Sequence, residues 1–315
     1  MLKFIVARLL RTLLVIVLAT TGIFAMIRAL PGDPARAILG QDASDEALAS
    51  LRRALLLDRS YPEQFVAWLR QIASGQFGLS YRSHQPVVDI VAQALPPSLI
   101  LLLLAMTWAA LLALLLGTLA AYFRGRWVDS VISAATSVLY GVPSFWLGII
   151  LIITFGLLLK WFPTGGYVPV QQDPVGALRS LVLPALTLGT TIAGTLARFV
   201  RASVIDVLSR DYVTTARAKG VSERRIMFSH VLRNSLLPVV TVLGIQIGVL
   251  LGGAVVVEVV FNLPGLGRAV VDAVRSRDYP VLQGGLLVLM VWFAVVNLVV
   301  DLCYGLLDPR VRLIS

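Results

Sequence analysis

Six stretches of this chain are long and apolar enough to cross a lipid bilayer, and this excludes most other architectures. A crossing helix needs about 20 mostly apolar residues to traverse a hydrocarbon layer near 30 Å thick. Residues 9–30, 99–122, 131–159, 181–200, 236–260 and 281–306 meet that length. The second is the clearest, because its twelve Leu or Ile residues far outweigh Thr107 and Thr118 on an insertion scale. Backbone groups have no water to bond inside lipid, so apolar runs of this kind must be helices. The expected fold is an all-α membrane protein with six transmembrane helices. Pro143 interrupts the third run; lacking an N–H, it should kink the chain near Gly141, giving one bent helix or two.

Composition agrees. Of 315 residues, 58% are hydrophobic and 14% charged, against roughly 45–50% and about 25% in a soluble domain. The net charge of +10 would suggest nucleic acid for a soluble protein, but in a membrane chain Lys and Arg set topology and meet anionic lipid headgroups. Membrane lipid is therefore an expected partner, and nucleic acid is not. The one cysteine, Cys303, lies in an apolar run and excludes an internal disulfide. His84 and His230 stand far apart, too few for a metal or haem centre. A phosphate-cradling loop needs Lys directly after Gly and before Ser or Thr. The three lysines, Lys3, Lys160 and Lys219, follow Leu2, Leu159 and Ala218 instead. We expect no catalytic residue, no metal site and no cofactor in the chain itself.

Six crossings place both termini on one side. Fifteen Lys and Arg lie on the terminal side, eight of them between Arg198 and Arg233, against six near the short loops opposite and six in the long loop 31–97. Long loops weigh little in this rule, so both termini and the basic segment are expected in the cytoplasm. The first run has a basic start, but its apolar stretch from Leu13 to Leu30 exceeds the roughly 7–15 residues of a signal core; a retained span is expected. The loop after it is expected to form a small helical cap outside. PGDP at residues 31–34 is a turn, Ser44 caps a helix with two acids in its first turn, and Pro62 starts another, EQFVAWLRQI.

The segment DYVTTARAKGVSERRIMFSHVLRNSLLP, residues 211–238, joins two apolar runs. DYVTTARAK favours a helix, Gly220 can end it in the left-handed conformation, and Ser222 can cap a second helix. That second helix carries Met227, Phe228, Val231 and Leu232 as an apolar stripe beside Arg224, Arg225 and Arg233. An exposed stripe wants a partner. It either lies on headgroups or docks a soluble cytoplasmic protein; a DNA reader is a poor fit, tethered closely at both ends to spans.

These residues resemble the cytoplasmic coupling loop of binding-protein-dependent ABC permeases of the peptide, nickel and opine group. The general pattern is EAA, three residues, Gly, nine residues, then I-x-L-P; here stand Thr214-Thr215-Ala216, Gly220 and His230-Val231-Leu232-Arg233. The Glu, Ile and Pro are replaced, so the fit is to the peptide-permease variant. Further strings in order are LPGDPAR, FGLSYRSHQPV, VPSFWLG, EVVFNLPGLGR, RDYPVLQG and NLVVDLCYGLLDPR. The resemblance implies a type I ABC importer permease, with residues 1–97 as first span plus outer loop and 98–315 as a core of five spans bearing a coupling loop at 201–235. It implies a bacterial inner-membrane location. It further implies a second homologous permease subunit, two cytoplasmic ATPase subunits that hold ATP and Mg, and an extracytoplasmic substrate-binding protein. The cargo would be short peptides, dipeptide, oligopeptide or glutathione, with nickel chelates or opines as alternatives. Thr215, Ala216, Ala218, Lys219, Gly220, Ser222, Arg225, Phe228 and His230 would meet the ATPase; otherwise Gly220 is a mere helix stop.

Three further groups are candidates. Gly244, Gly248 and Gly252 form a small-xxx-small face for packing within the chain, for a partner permease or for a sliding gate. Thr187, Thr191 and Thr195 line one face of the fourth span, toward a polar passage or bonded to their own backbone. Glu258 with Pro264 and Gly265 would form an outer gate or binding-protein contact. Glu258 and Asp301 are the only acids in the six runs, and neither is near mid-membrane. An ion-coupled secondary carrier, the main rival, holds carboxylates deep in the bundle, so their absence counts against it.

Overall fold

The computed structural model describes residues 2–29, 34–40 and 43–307. Among the described residues, helix is the only regular structure apart from one isolated antiparallel bridge between Leu79 and Pro86. The chain runs α1 (Leu2–Ala29), α2 (Pro34–Leu39), α3 (Asp45–Ala54), α4 (Tyr61–Ala73), α5 (Val87–Tyr122), α6 (Trp127–Gly141) and α7 (Ser144–Leu151, prolonged by a wider π-helical turn Ile152–Leu158). It continues through α8 (Pro174–Leu208), α9 (Asp211–Ala218), α10 (Glu223–Arg225), α11 (Arg233–Val260), α12 (Leu266–Ser276) and α13 (Tyr279–Leu307). Five helices are long and apolar enough to cross a membrane, and α6 with α7 form a sixth candidate bent by 104°.

Two compact units divide the chain. The first comprises residues 1–9, 97–263 and 295–315, the second residues 10–96 and 264–294.

The first unit is built around α8, most of whose face is buried. Small residues every fourth position bring helices close. On α5 these are Ala105, Ala109, Ala113 and Gly117; on α8 they are Ala185, Gly189, Ala193 and Ala197, all buried. A Cβ added at Gly189 would collide with the carbonyl oxygen of Ala105, and one at Gly117 would sit 2.6 Å from that of Ala197. The pairs 105/189 and 117/197 ascend together, so α5 and α8 run parallel. The opposite sense holds for the bent pair. Asp129 meets Arg201, a Cβ at Gly194 would lie 2.7 Å from the Thr136 carbonyl, and one at Gly148 would lie 3.3 Å from Thr187. On either side of the 104° bend, then, α6 and α7 both run opposite to α8. The break falls at Val142-Pro143 and makes the third run two helices. Helix α11 also opposes α8, with Ser203 donating to the Ser235 carbonyl at 2.9 Å and Gly253 set against Leu188. Arg8 pairs with Asp301 at 2.7 Å.

The second unit has its own core, in which Ile23, Ile27, Val87, Val91, Leu266 and Tyr279 are buried. Ser44 accepts a bond from the Ala47 amide at the start of α3, and Ser60 forms a capping box with Glu63 at the start of α4. Glu63's carboxyl lies below the usual range, chiefly because the Ser60 amide bonds it, with the Ser60 hydroxyl next. The expected turn at residues 31–34 lies outside the described residues up to Asp33, and Pro34 opens α2. Helix α5 begins at Val87, because Val87, Val91 and Ala94 at i, i+4 and i+7 bury a helical stripe that outweighs the donors missing at Pro96 and Pro97. Helix α12 and the start of α13 share the core of this unit with the segment before α5.

Candidate functional site

The basic segment is an elbow hung between α8 and α11. Helix α9 ends as its sequence demands. Gly220 has φ +76, the Val221 amide donates to the Ala216 carbonyl at 3.1 Å and the Gly220 amide to that of Arg217 at 2.9 Å. These are the two bonds of a Schellman stop, with Val221 and Ala216 supplying its hydrophobic contact. Among the described residues nothing lies within 4 Å of a Cβ built at Gly220, so conformation rather than space requires the glycine. Ser222 takes the N-cap position of α10, with its carbonyl receiving the Ile226 amide at 3.0 Å. Its hydroxyl caps nothing among the described residues, which departs from the side-chain cap expected of it.

The two arms are braced by a pair that the sequence reading did not single out. Arg217 donates Nε to Glu223 Oε1 at 2.7 Å and Nη2 to Oε2 at 3.2 Å. The Arg217 bond holds the Glu223 carboxyl below the usual carboxylate range, and the same bond raises Arg217. Asn234 donates to the Tyr212 hydroxyl at 3.2 Å and to the His230 carbonyl at 2.7 Å, tying α9 to the arm that follows.

The apolar stripe divides. Ile226, Met227 and Val231 are buried in the chain's own core with Val204, Val207 and Val213, so Met227 and Val231 are anchors inward rather than a docking surface. Leu232 is half-buried against the same core, and Phe228 stands 64% exposed. The outward face is Thr215, Ala218, Lys219, Gly220, Ser222, Arg225 and Phe228, while Ala216 and His230 are half-buried. Thr215 spends its hydroxyl on the Asp211 carbonyl at 2.9 Å. From Glu223 the helix passes through a π-helical turn, Ile226–Leu232, into α11, without a break. The elbow is a basic turn continuous with α11, which runs to Val260.

The other candidates fare differently. Gly244 is buried, and a Cβ there would collide with Val300 of α13; Gly248 is half-buried and Gly252 exposed, with nothing near its missing Cβ among the described residues. Close packing runs also through the α5 and α8 stripes, whose spacing of four is plain in the sequence. Thr187 is fully buried and donates to the Leu183 carbonyl at 2.8 Å, and Thr191 donates to that of Leu188 at 2.9 Å. Thr195 is half-buried. Thr190, passed over in the sequence, accepts Trp108 Nε1 at 2.9 Å from α5. Glu258 is 1% exposed and accepts the Ser98 hydroxyl at 2.6 Å. It offers no surface to an external protein in this conformation, because a buried carboxylate keeps its bonding partner. Pro264 is exposed, and Gly265 is buried at the N-cap of α12. A second buried acid, Asp129 in α6, holds Arg201.

Comparison with known proteins identifies the family. The family model described as binding-protein-dependent transport system inner membrane component matches residues 113–313. The model for the N-terminal part of such membrane components matches residues 1–102. The chain is 42% identical over 314 residues to the glutathione transport system permease protein GsiC of Escherichia coli strain K12, covering 99% of each. The same figures hold for the protein of that name from Shigella dysenteriae serotype 1. A crystal structure of an amino acid ABC transporter with histidines shows a loose likeness, with TM-score 0.49, 18% identity and coverage of 70% of this chain and 94% of that one. The chain belongs to the family of binding-protein-dependent transport system inner membrane components, as a multi-pass permease.

Proposed function

We propose that the chain is the permease subunit of an ATP-driven importer of short peptides, glutathione among them, with the elbow at Gly220 seated in a cleft of a cytoplasmic ATPase. The observation that carries this reading is the braced elbow: a basic, outward-facing turn with Phe228 exposed on it, continuous with the membrane helix α11. A braced elbow of this kind converts movement of a bound motor into movement of the bundle, since packed helices shift as units. Phe228 supplies an aromatic anchor and Arg225 and Lys219 orient the partner, as interface cores and rims do. The identity to glutathione permeases supports the peptide cargo. In the topology that charge favours, both termini and the elbow are cytoplasmic and the first loop is outside.

A second homologous permease, two ATPases and an external binding protein complete the assembly. The Thr187, Thr191 and Thr195 face stays a proposed passage wall, and Gly252, open in this chain, a proposed contact for the second permease. Glu258 with Pro264 and Gly265 marks a proposed outer gate. Co-reconstitution in liposomes with these partners tests the reading: ATP-dependent glutathione or dipeptide uptake supports it, and uptake by this chain alone, driven by an ion gradient, refutes it.

A further inference from the structure

The turn between α5 and α6 sets two arginines at the end of a membrane helix, with no acid among the described residues to answer them. The apolar run of α5 stops at Tyr122 and α6 opens at Trp127, so only Phe123, Arg124, Gly125 and Arg126 lie between. Gly125 turns the chain at φ +78, and the Arg126 amide donates to the Phe123 carbonyl at 2.9 Å. Four extended residues span at most about 14 Å. A turn that must come back rises about half of that, which keeps it within one headgroup layer.

Arg124 and Arg126 are both exposed, and neither forms an ion pair among the described residues. The nearest acid along the chain, Asp129, is occupied. Arg201 donates to both its oxygens, and the Gly125 amide and the Ser133 hydroxyl bond it as well. The Arg126 guanidinium lies 6.0 Å from the Phe123 ring centroid, and Phe123 meets Tyr122 edge-on at 5.0 Å, so an aromatic pair props the turn. Tyr122 and Trp127 flank the arginines and are 52% and 76% exposed; rings with a polar edge settle at headgroup depth. An exposed apolar ridge leads to the turn from each side, Leu111, Leu115 and Leu119 on α5, and Val131 and Val138 on α6. Apolar ridge, amphipathic ring and unpaired cation follow in the order in which a phospholipid presents its tails, its ester region and its phosphate.

We propose that this turn is a binding site for an anionic phospholipid, whose phosphate meets Arg124 and Arg126 while its acyl chains lie on the ridges beyond Tyr122 and Trp127. The planar guanidinium matches phosphate in a bidentate way. Two unpaired cations select a headgroup of net negative charge over a zwitterionic one. A soluble protein could reach the arginines but not the ridges, which lie in hydrocarbon, and a lipid satisfies both at once. The site goes beyond the transport reading and needs neither cargo nor ATPase, so its failure leaves that reading standing.

The test places a bimane fluorophore at Ser130→Cys, an exposed position on α6, in a full-length Cys303→Ser chain held in phosphatidylcholine nanodiscs. Quenching by brominated phosphatidylglycerol is compared with quenching by brominated phosphatidylcholine. A preference for phosphatidylglycerol of about fivefold or more is expected. It should fall to near one when Arg124→Gln and Arg126→Gln are combined, and be largely kept when both become Lys, since the charge remains. A second label at Leu157→Cys, exposed at the end of the π-helical turn after α7, should report no change with these substitutions. Should the double Gln variant fold poorly, the two lipids compared with both arginines present still decide. Equal quenching by the two lipids at position 130 overturns the proposal, as does a preference that survives loss of both arginines or falls alike at both labels. Displacement of the brominated lipid by added cognate ATPases gives the turn to a protein and overturns it too.

Discussion

Arg201 on α8 grips Asp129 at the start of α6 through Nε to Oδ1 at 2.7 Å and Nη2 to Oδ2 at 2.8 Å. The Gly125 amide and the Ser133 hydroxyl, at 3.1 and 3.3 Å, complete the carboxylate's shell. This bidentate clamp fixes one end of the bent pair to the central helix, while Arg198, 4.6 Å from the Tyr140 ring centroid, holds it further along. The Asp129 side chain is 9% exposed and Arg201 33%, so removing either partner leaves the other short of bonds in a poorly solvated place.

Asp129→Asn should therefore lower stability by about 1–3 kcal/mol. Arg201→Gln should do much the same. The double variant should lose less than the sum of the two, because the second change removes a group already stranded. Thermal melts of the detergent-purified chain measure all three; additive losses would show that the clamp does not join α6 to α8.

At Gly220 the prediction follows from φ +76 alone. Gly220→Ala meets no neighbour but forces a Cβ into the left-handed region, at about 1–2 kcal/mol. The global melt should barely move, since the elbow is exposed, while ATP-dependent uptake by the reconstituted assembly falls. Gly220→Asn, which tolerates that region better, should retain more uptake than Ala. The reverse order would show that the conformation is not what matters.

The Arg217–Glu223 brace predicts a pH and salt dependence. Glu223 titrates below its ordinary value when folded, so the brace is fully formed above the unfolded value near 4.3. It is lost as pH falls through the lowered one. Both groups are more than a third exposed, which limits the contribution to about 0.2–1 kcal/mol and makes it salt-sensitive. Hydrogen exchange of the Gly220 and Val221 amides should be unchanged from neutral pH down to about 5 after correction for intrinsic rates, and faster in Glu223→Gln. Equal protection in both proteins would contradict the brace.

The α5–α8 seam predicts a contrast between glycines. Gly189→Val must displace the Ala105 backbone and should cost about 1–3 kcal/mol or prevent folding. Gly252→Ala, with open space at its Cβ among the described residues, should leave the isolated chain's melt unchanged. If the two behave alike, the close parallel packing of α5 on α8 is wrong.

Much of this was legible in the sequence, where one rule dominated. Apolar length found the candidate crossings, Ser44 and Pro62 announced their helices, and Gly220 with its flanking helix-formers announced the elbow. The failures share a cause, which is that a one-dimensional pattern does not say which face is turned inward. Met227 and Phe228 are adjacent and equally apolar, yet one is buried and the other 64% exposed. Glycine spacing on α11 drew attention away from the longer Ala/Gly stripes on α5 and α8. Arg217 and Glu223 are six apart, a spacing that means nothing until a left-handed turn folds them together. The buried Val87, Val91 and Ala94 stripe carries α5 through Pro96 and Pro97, a run the loop's polar residues hide.

The central claim is that a cytoplasmic motor grips the elbow and moves α11. Cross-linking tests it most directly, with a single cysteine at Ala218 in a Cys303→Ser chain co-expressed with its cognate ATPases. The account predicts a cross-link to an ATPase that forms and breaks with the nucleotide cycle and blocks uptake. Labelling of that cysteine by a membrane-impermeant reagent from outside intact cells, or undiminished ATPase binding after deletion of residues 211–232, would contradict it.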